Sequence, residues 1–198
     1  MPPDIRPGDG MTGEPRLRRL SPTELDDGQR AVYDAVAGGR RARGPQVFPL
    51  VDDDGGLVGP FNAFLLQPRL GFALQALGAA VRYETALTDR AREIAILVTA
   101  VAADAAFEWY AHEALGRHVG LTADELTALR TGSFDALADE TERVVAATVH
   151  ALCVRGDLDD DEYRRATGAL GEPGVFELLT LAGYYLTLAL QLRVFRVS

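Results

Sequence analysis

Lysine is absent from this 198-residue chain, and cysteine, tryptophan and histidine are scarce. Cys153 is the only cysteine, which excludes an intramolecular disulfide, a dithiol redox pair and a multi-cysteine metal site. Three scattered histidines, His112, His118 and His150, do not make a zinc ligand set, and no His-Glu-x-x-His pattern occurs. Positive charge is in deficit. Twenty arginines face 29 acidic residues, a formal net charge of -9, so the chain lacks the basic surface with which nucleic-acid binders release counterions. Nucleic acid is therefore not an expected partner. There is also no glycine-rich phosphate loop and no Gly-x-Ser-x-Gly elbow.

Long uninterrupted apolar runs are missing too. The longest, Val175 to Leu192, contains Glu177, Gln191 and two tyrosines, and reads as a buried C-terminal helix rather than a membrane span. Met1 to Leu20 carries proline, glycine and mixed charge in place of a signal-peptide core. A cytoplasmic protein without a membrane partner is the expectation. Hydrophobic residues at 47% and charged residues at 25% are ordinary for a globular protein, and the length suits one domain with a substantial core. The expected organisation is a flexible arm over 1–19 and a single domain over 20–198.

What is present is helical patterning. Ser21-Pro22-Thr23-Glu24 combines an N-cap serine, a first-turn proline and a capping-box glutamate, predicting a helix to about Ala37. Thr88-Asp89 and Thr122-Ala123-Asp124-Glu125 are further start signals, and Gly120 and Gly156 are stop signals. Short helices are expected after Gly59-Pro60 and from Pro68, a nearly all-apolar helix after Thr88, and helices over about 105–118, 139–154, 159–170 and 173–194. This is an all-α bundle of about eight helices. Phe48 to Val51 and Leu57-Val58, around the Asp52-Asp53-Asp54-Gly55-Gly56 turn, fit either a small hairpin near 48–58 or a long loop.

Chemistry concentrates in Phe107-Glu108-Trp109-Tyr110-Ala111-His112. Offsets of three and four place Ala105, Glu108 and His112 on one helical face, where a carboxylate and an imidazole can share a proton. The same spacing also describes an ordinary surface pair, and spacing alone leaves both readings open.

Together with Arg92-Glu93-Ile94-Ala95-Ile96-Leu97 and Gly120-Leu121-Thr122, this segment resembles the carboxymuconolactone decarboxylase and AhpD-like superfamily. The resemblance runs from Gly59-Pro60-Phe61 to about Leu129. It implies an AhpD-like helical fold and a homo-oligomer, a trimer or hexamer. The peroxidase branch carries a glutamate, two cysteines and a histidine at spacings that fall here on Glu93, Ala105, Glu108 and His112. Both sulfurs are missing, so a two-cysteine thiol peroxidase cycle is disfavoured.

The decarboxylase-like branch is similar in its Glu-Trp followed by histidine. It implies an enzyme without metal or organic cofactor, acting on a small or medium organic acid or enolisable carbonyl compound by decarboxylation or related proton transfer. On that resemblance His112 is the proton donor or acceptor and Glu108 its orienting partner or a second acid-base group. Glu93 is either a further pocket carboxylate or a charge complementing its helix start. Trp109 and Tyr110 are candidate pocket walls or core aromatics, Phe61 and Asn62 a candidate entrance, and Arg82 a candidate carboxylate anchor or surface ion pair. Cys153 reads as a small buried hydrophobe. A tailoring isomerase, cyclase or dehydratase of specialised metabolism, and a non-catalytic binding or assembly protein, are the alternative functions on the same fold.

Overall fold

The computed structural model describes residues 14–43 and 49–197. Among these, eight α-helices and three short 3-10 turns account for the regular structure, and the only strand-like pairing is one antiparallel bridge, Val51 to Leu57. The chain divides into two compact units, one of residues 1–83 with 190–198, the other of residues 84–189.

In the first unit the Ser21 capping box closes a 3-10 turn, Pro22–Glu24, rather than opening the expected helix. Leu25 is extended, and Asp26 then starts afresh: its carboxylate accepts from Gln29 N at 2.8 Å while Gln29 Oε1 accepts from Asp26 N. This second box begins α1 (Asp27–Ala37). Two capping signals five residues apart compete here, and the one next to the apolar periodicity of Val32 and Val36 starts the helix. A 3-10 turn, Arg40–Arg43, comes next, then α2 (Phe61–Phe64) and α3 (Pro68–Tyr83).

α1 packs on α3. The buried Gln75 of α3 is satisfied by α1 and the turn after it, donating to Ala35 O at 3.2 Å and accepting from Arg41 Nε at 3.3 Å. Gly71 lets α3 close on α2, since a Cβ there would lie 2.1 Å from Phe64 O. Between the helices, Asp52 Oδ1 accepts from Gly56 N at 2.7 Å and from Asp54 N at 3.1 Å, folding 52–56 into a tight turn under the single bridge. Of the expected arm, 1–13 lie outside the described residues. Arg16 donates to Val194 O and Phe195 O, and Arg19 pairs with Asp52. Residues 44–48 also lie outside the described residues; of the expected hairpin this removes only Phe48, and the remainder carries the Val51–Leu57 bridge.

The second unit is built around α4 (Asp89–Ala102), whose Ile94 to Ala100 are buried without a break. It packs against α5 (Ala106–His118), α6 (Ala123–Thr131) and α7 (Glu140–Arg155). α8 (Asp160–Phe195) contains a non-helical residue, Gly171, at φ 69° and ψ 169°. The two helices expected on either side of residues 171–172 are therefore present, joined end to end across a glycine that takes the left-handed φ, with Pro173 starting the second stretch. By length and composition α8 is apolar enough to cross a membrane, with a mean hydropathy of 1.4 over its most apolar window; half of that window is buried.

Candidate acid-base site

Three features of α4 and α5 bring the candidate residues together. Thr88 Oγ1 accepts from Ala91 N and fixes the first turn of α4, which places Glu93 on the second. Arg90 then ties that helix start down. Its Nε donates to Glu142 of α7 at 2.7 Å, its guanidinium also pairs with Glu125 of α6, and a further N–H donates to Gly120 O at 2.6 Å. Finally, α4 and α5 are joined by only 103–105, with Asp104 at φ 50° and Ala105 N donating back to Ala100 O at 2.9 Å. Asp is among the few residue types that accept this left-handed φ readily, and so short a connection makes α4 and α5 a helical hairpin with α5 folded back along α4.

At the packed faces, His112 Nδ1 lies 2.7 Å from Glu93 Oε2. On the other side of the ring, His112 Nε2 lies 3.6 Å from Glu108 Oε2. All three side chains are at most 5% exposed. With Glu93 ionised its carboxylate can only accept, so that Nδ1 then carries the shared proton and the ring takes that tautomer. Glu108 was expected to orient the ring or to act as a second acid-base group; its Oε2 stands across from Nε2 at ion-pair range, longer than a hydrogen bond. The reason is geometric. Residues four apart on one helix project side by side, whereas the neighbouring helix presents Glu93 end-on to the ring.

Burial excludes the surface-pair reading of Glu108 and His112. Charged groups withdrawn from water are costly unless paired. Here two carboxylates from two helices flank one imidazole. Chemically, one nitrogen is held and the other is set opposite a carboxylate, an arrangement able to take a proton from carbon and return it.

The fourth contributor escaped the sequence reading. Tyr185 of α8 is buried and packs edge-to-face on His112, with ring centroids 5.2 Å apart at 87°, and Tyr184 packs on Tyr185 in the same way at 5.3 Å. The only hint in the sequence was a pair of tyrosines in an otherwise aliphatic run.

The remaining candidates are engaged elsewhere. Trp109 is buried, donates from Nε1 to Glu113 at 3.0 Å and lies under the Arg130 guanidinium, 4.3 Å from the ring centroid. It braces α5 on α6. Tyr110 is exposed. In the first unit, Phe61 lies 5.1 Å under Arg41, buried Asn62 donates to Arg18 O at 3.1 Å, and half-buried Arg82 lies 5.8 Å over the Tyr83 ring. Cys153 of α7 sits 3.9 Å from Thr99 Oγ1, and burial pushes its thiol up, against the activation a nucleophilic cysteine needs. His118 and His150 are exposed, the latter against the edge of Phe134. Two cavities of the second unit, of about 540 and 370 Å³, are lined by other residues, Phe134, Arg143 and Thr148 in one, Leu87, Thr88 and Glu177 in the other. No group of three or more His, Cys, Asp or Glu among the described residues is arranged to hold a metal ion.

The fold and this cluster define an all-α protein with a buried carboxylate-imidazole-carboxylate site between two hairpinned helices. Residues 68–150, the stretch that holds Glu93, Glu108 and His112, match the carboxymuconolactone decarboxylase family. No curated protein matches the sequence significantly. Among solved structures, a cysteine-to-alanine variant of the debrominase Bmp8 in complex with 2,3,4-tribromopyrrole aligns with a TM-score of 0.70 and 12% identity, over 93% of this chain and 93% of that one. This shows the fold, and the all-α, AhpD-like architecture expected from the sequence is borne out.

Proposed function

We propose that the protein is a proton-transfer enzyme acting on a small enolisable carbonyl compound or organic acid, by decarboxylation or a related shift of a proton on carbon. The observation that carries this reading is the hydrogen bond of 2.7 Å from His112 to buried Glu93, with Glu108 across the ring at 3.6 Å. His112 Nε2 and Glu108 exchange the proton with substrate carbon. Glu93 holds Nδ1 and stabilises the imidazolium that forms when Nε2 takes up a proton. The family match supports the reading, because it covers all three residues. We expect the reaction to need no cofactor, on the resemblance to the decarboxylase-like branch.

A tailoring reaction on a ring compound, such as an isomerisation, is a second reading. It is favoured by the likeness in fold to a debrominase bound to a substituted pyrrole. Both readings pass through the same proton transfer. The test incubates the protein in D2O with a panel of 2- and 3-oxo acids, lactones and cyclic ketones, scoring deuterium gain and CO2 loss by mass spectrometry. Wild-type protein should label at least one compound. Its His112→Ala variant should do so roughly 10²- to 10⁴-fold more slowly, the usual contribution of a positioned acid-base group. Equal labelling by folded wild type and variant would refute the proposal.

A further inference from the structure

The family match ends at residue 150, yet the ring stacked on His112 comes from α8, beyond it. We propose that Tyr185 is a positioning residue for His112, so that the acid-base site is completed by the C-terminal helix and not by the α4–α5 hairpin alone. The proposal rests on the proton-transfer reading for its consequence in catalysis, though not for its structural content.

Among the described residues the imidazole's close hydrogen bond is the one between Nδ1 and Glu93, 2.7 Å. A single hydrogen bond leaves the ring able to rock about it, and rocking swings Nε2, the atom on the Glu108 side. The 3.6 Å between Nε2 and Glu108 Oε2 is too long to serve as a second tether. An aromatic ring set at 87° to the imidazole, 5.2 Å away, is in the preferred edge-to-face arrangement and limits that motion by contact. Tyr185 is itself held, being only 3% exposed with Tyr184 at 89° on its flank. The chain thus fixes the ring plane from α8 while α4 fixes the tautomer. Both are needed if Nε2 is to meet substrate carbon in one orientation, since small misplacements of a reacting atom lower rates severely.

Three variants separate ring packing from other roles. Tyr185→Phe keeps the ring, Tyr185→Leu removes it, and Tyr185→Met removes it with a more adaptable side chain should the leucine variant fail to fold. Two readouts are taken on full-length protein. The first is the ¹⁵N and ¹H spectrum of the His112 ring, assigned by its loss in His112→Ala, which reports tautomer and ring-current shift. The second is deuterium exchange with a compound the wild type labels.

Positioning predicts that Tyr185→Phe keeps the ring-current shift at His112 and is less impaired in exchange than Tyr185→Leu. In Tyr185→Leu, or in Tyr185→Met if the leucine variant is unfolded, the ring signals should shift or broaden, and kcat should fall roughly 10- to 100-fold with KM changed less than about threefold. Unaltered His112 ring signals in a folded Tyr185→Leu or Tyr185→Met would overturn the proposal, as would a Tyr185→Phe as impaired as Tyr185→Leu. Should wild-type protein label no compound, the proton-transfer reading fails, while the ring spectra still decide whether Tyr185 positions His112.

Discussion

Replacing Arg90 by methionine tests how the site's scaffold is held. Arg90 is a quarter exposed and bonds to Glu142, Glu125 and the Gly120 carbonyl, tying the start of α4 to α6, α7 and the loop after α5. Methionine fills much of the volume but leaves two largely buried carboxylates without their cation. Breaking a fully buried pair costs about 3–5 kcal/mol, and partial exposure reduces this, so a loss of about 2–4 kcal/mol is expected at neutral pH. For a chain of this size that corresponds to a fall in Tm of roughly 4–16 °C.

The penalty must also depend on pH. Burial alone would push Glu125 up, but the Thr122 N–H, Arg90 and the Thr122 hydroxyl outweigh it and hold its carboxyl below the usual range. A depressed carboxylate contributes stability that is present above its unfolded value and is lost as pH falls through the folded one. In Arg90→Met that contribution is smaller, so the gap from wild type should narrow in acid. Urea denaturation followed by far-UV circular dichroism, at about pH 7 and about pH 4, measures both. A gap under about 1 kcal/mol at neutral pH, typical of an exposed pair, would refute the reasoning, as would a gap that does not change with pH.

Other positions give equally direct expectations. Glu93→Leu removes the acceptor for the His112 Nδ1 proton and should destabilise by about 1–3 kcal/mol in thermal melts, while Glu93→Gln, which keeps an acceptor, should recover at least half. Gly71→Ala drives a methyl group into Phe64 O, 2.1 Å away, and should lower stability by about 1–3 kcal/mol as α3 is pushed off α2. Cys153, with a thiol raised by burial, should react with iodoacetamide at neutral pH more slowly in native than in urea-unfolded protein, and Cys153→Ala should leave any deuterium exchange unchanged.

Most of the helices were legible in the sequence because their ends carry chemical signals. Thr88 and Thr122 accept from the backbone where their capping patterns place them, and Gly156 takes the left-handed φ that ends a helix. Ser21 misled because a capping box stabilises a single turn as readily as a full helix; the backbone just after the turn decides, and Leu25 there is extended. The membership of Glu108 and His112 in one face was readable from helical spacing. Which carboxylate bonds the ring was not, since that depends on how α4 lies against α5, a tertiary fact with no local signature. Tyr185 was hidden for the same reason, 73 residues away in sequence from His112 in a run that reads as core. Trp109 shows the converse: its position beside Glu108 suggested a shared pocket, but neighbours on a helix point about 100° apart, and its indole faces Glu113 and Arg130.

The most direct test of the acid-base cluster is a comparison of single and double variants in the deuterium-exchange reaction, each checked for native circular dichroism. Groups acting on one proton are strongly non-additive. His112→Ala and Glu108→Gln should each slow exchange by roughly 10²- to 10⁴-fold, and the double variant should be little slower than the worse single one. Folded His112→Ala protein exchanging at the wild-type rate, or losses that multiply in the double variant, would contradict a shared Glu93–His112–Glu108 site.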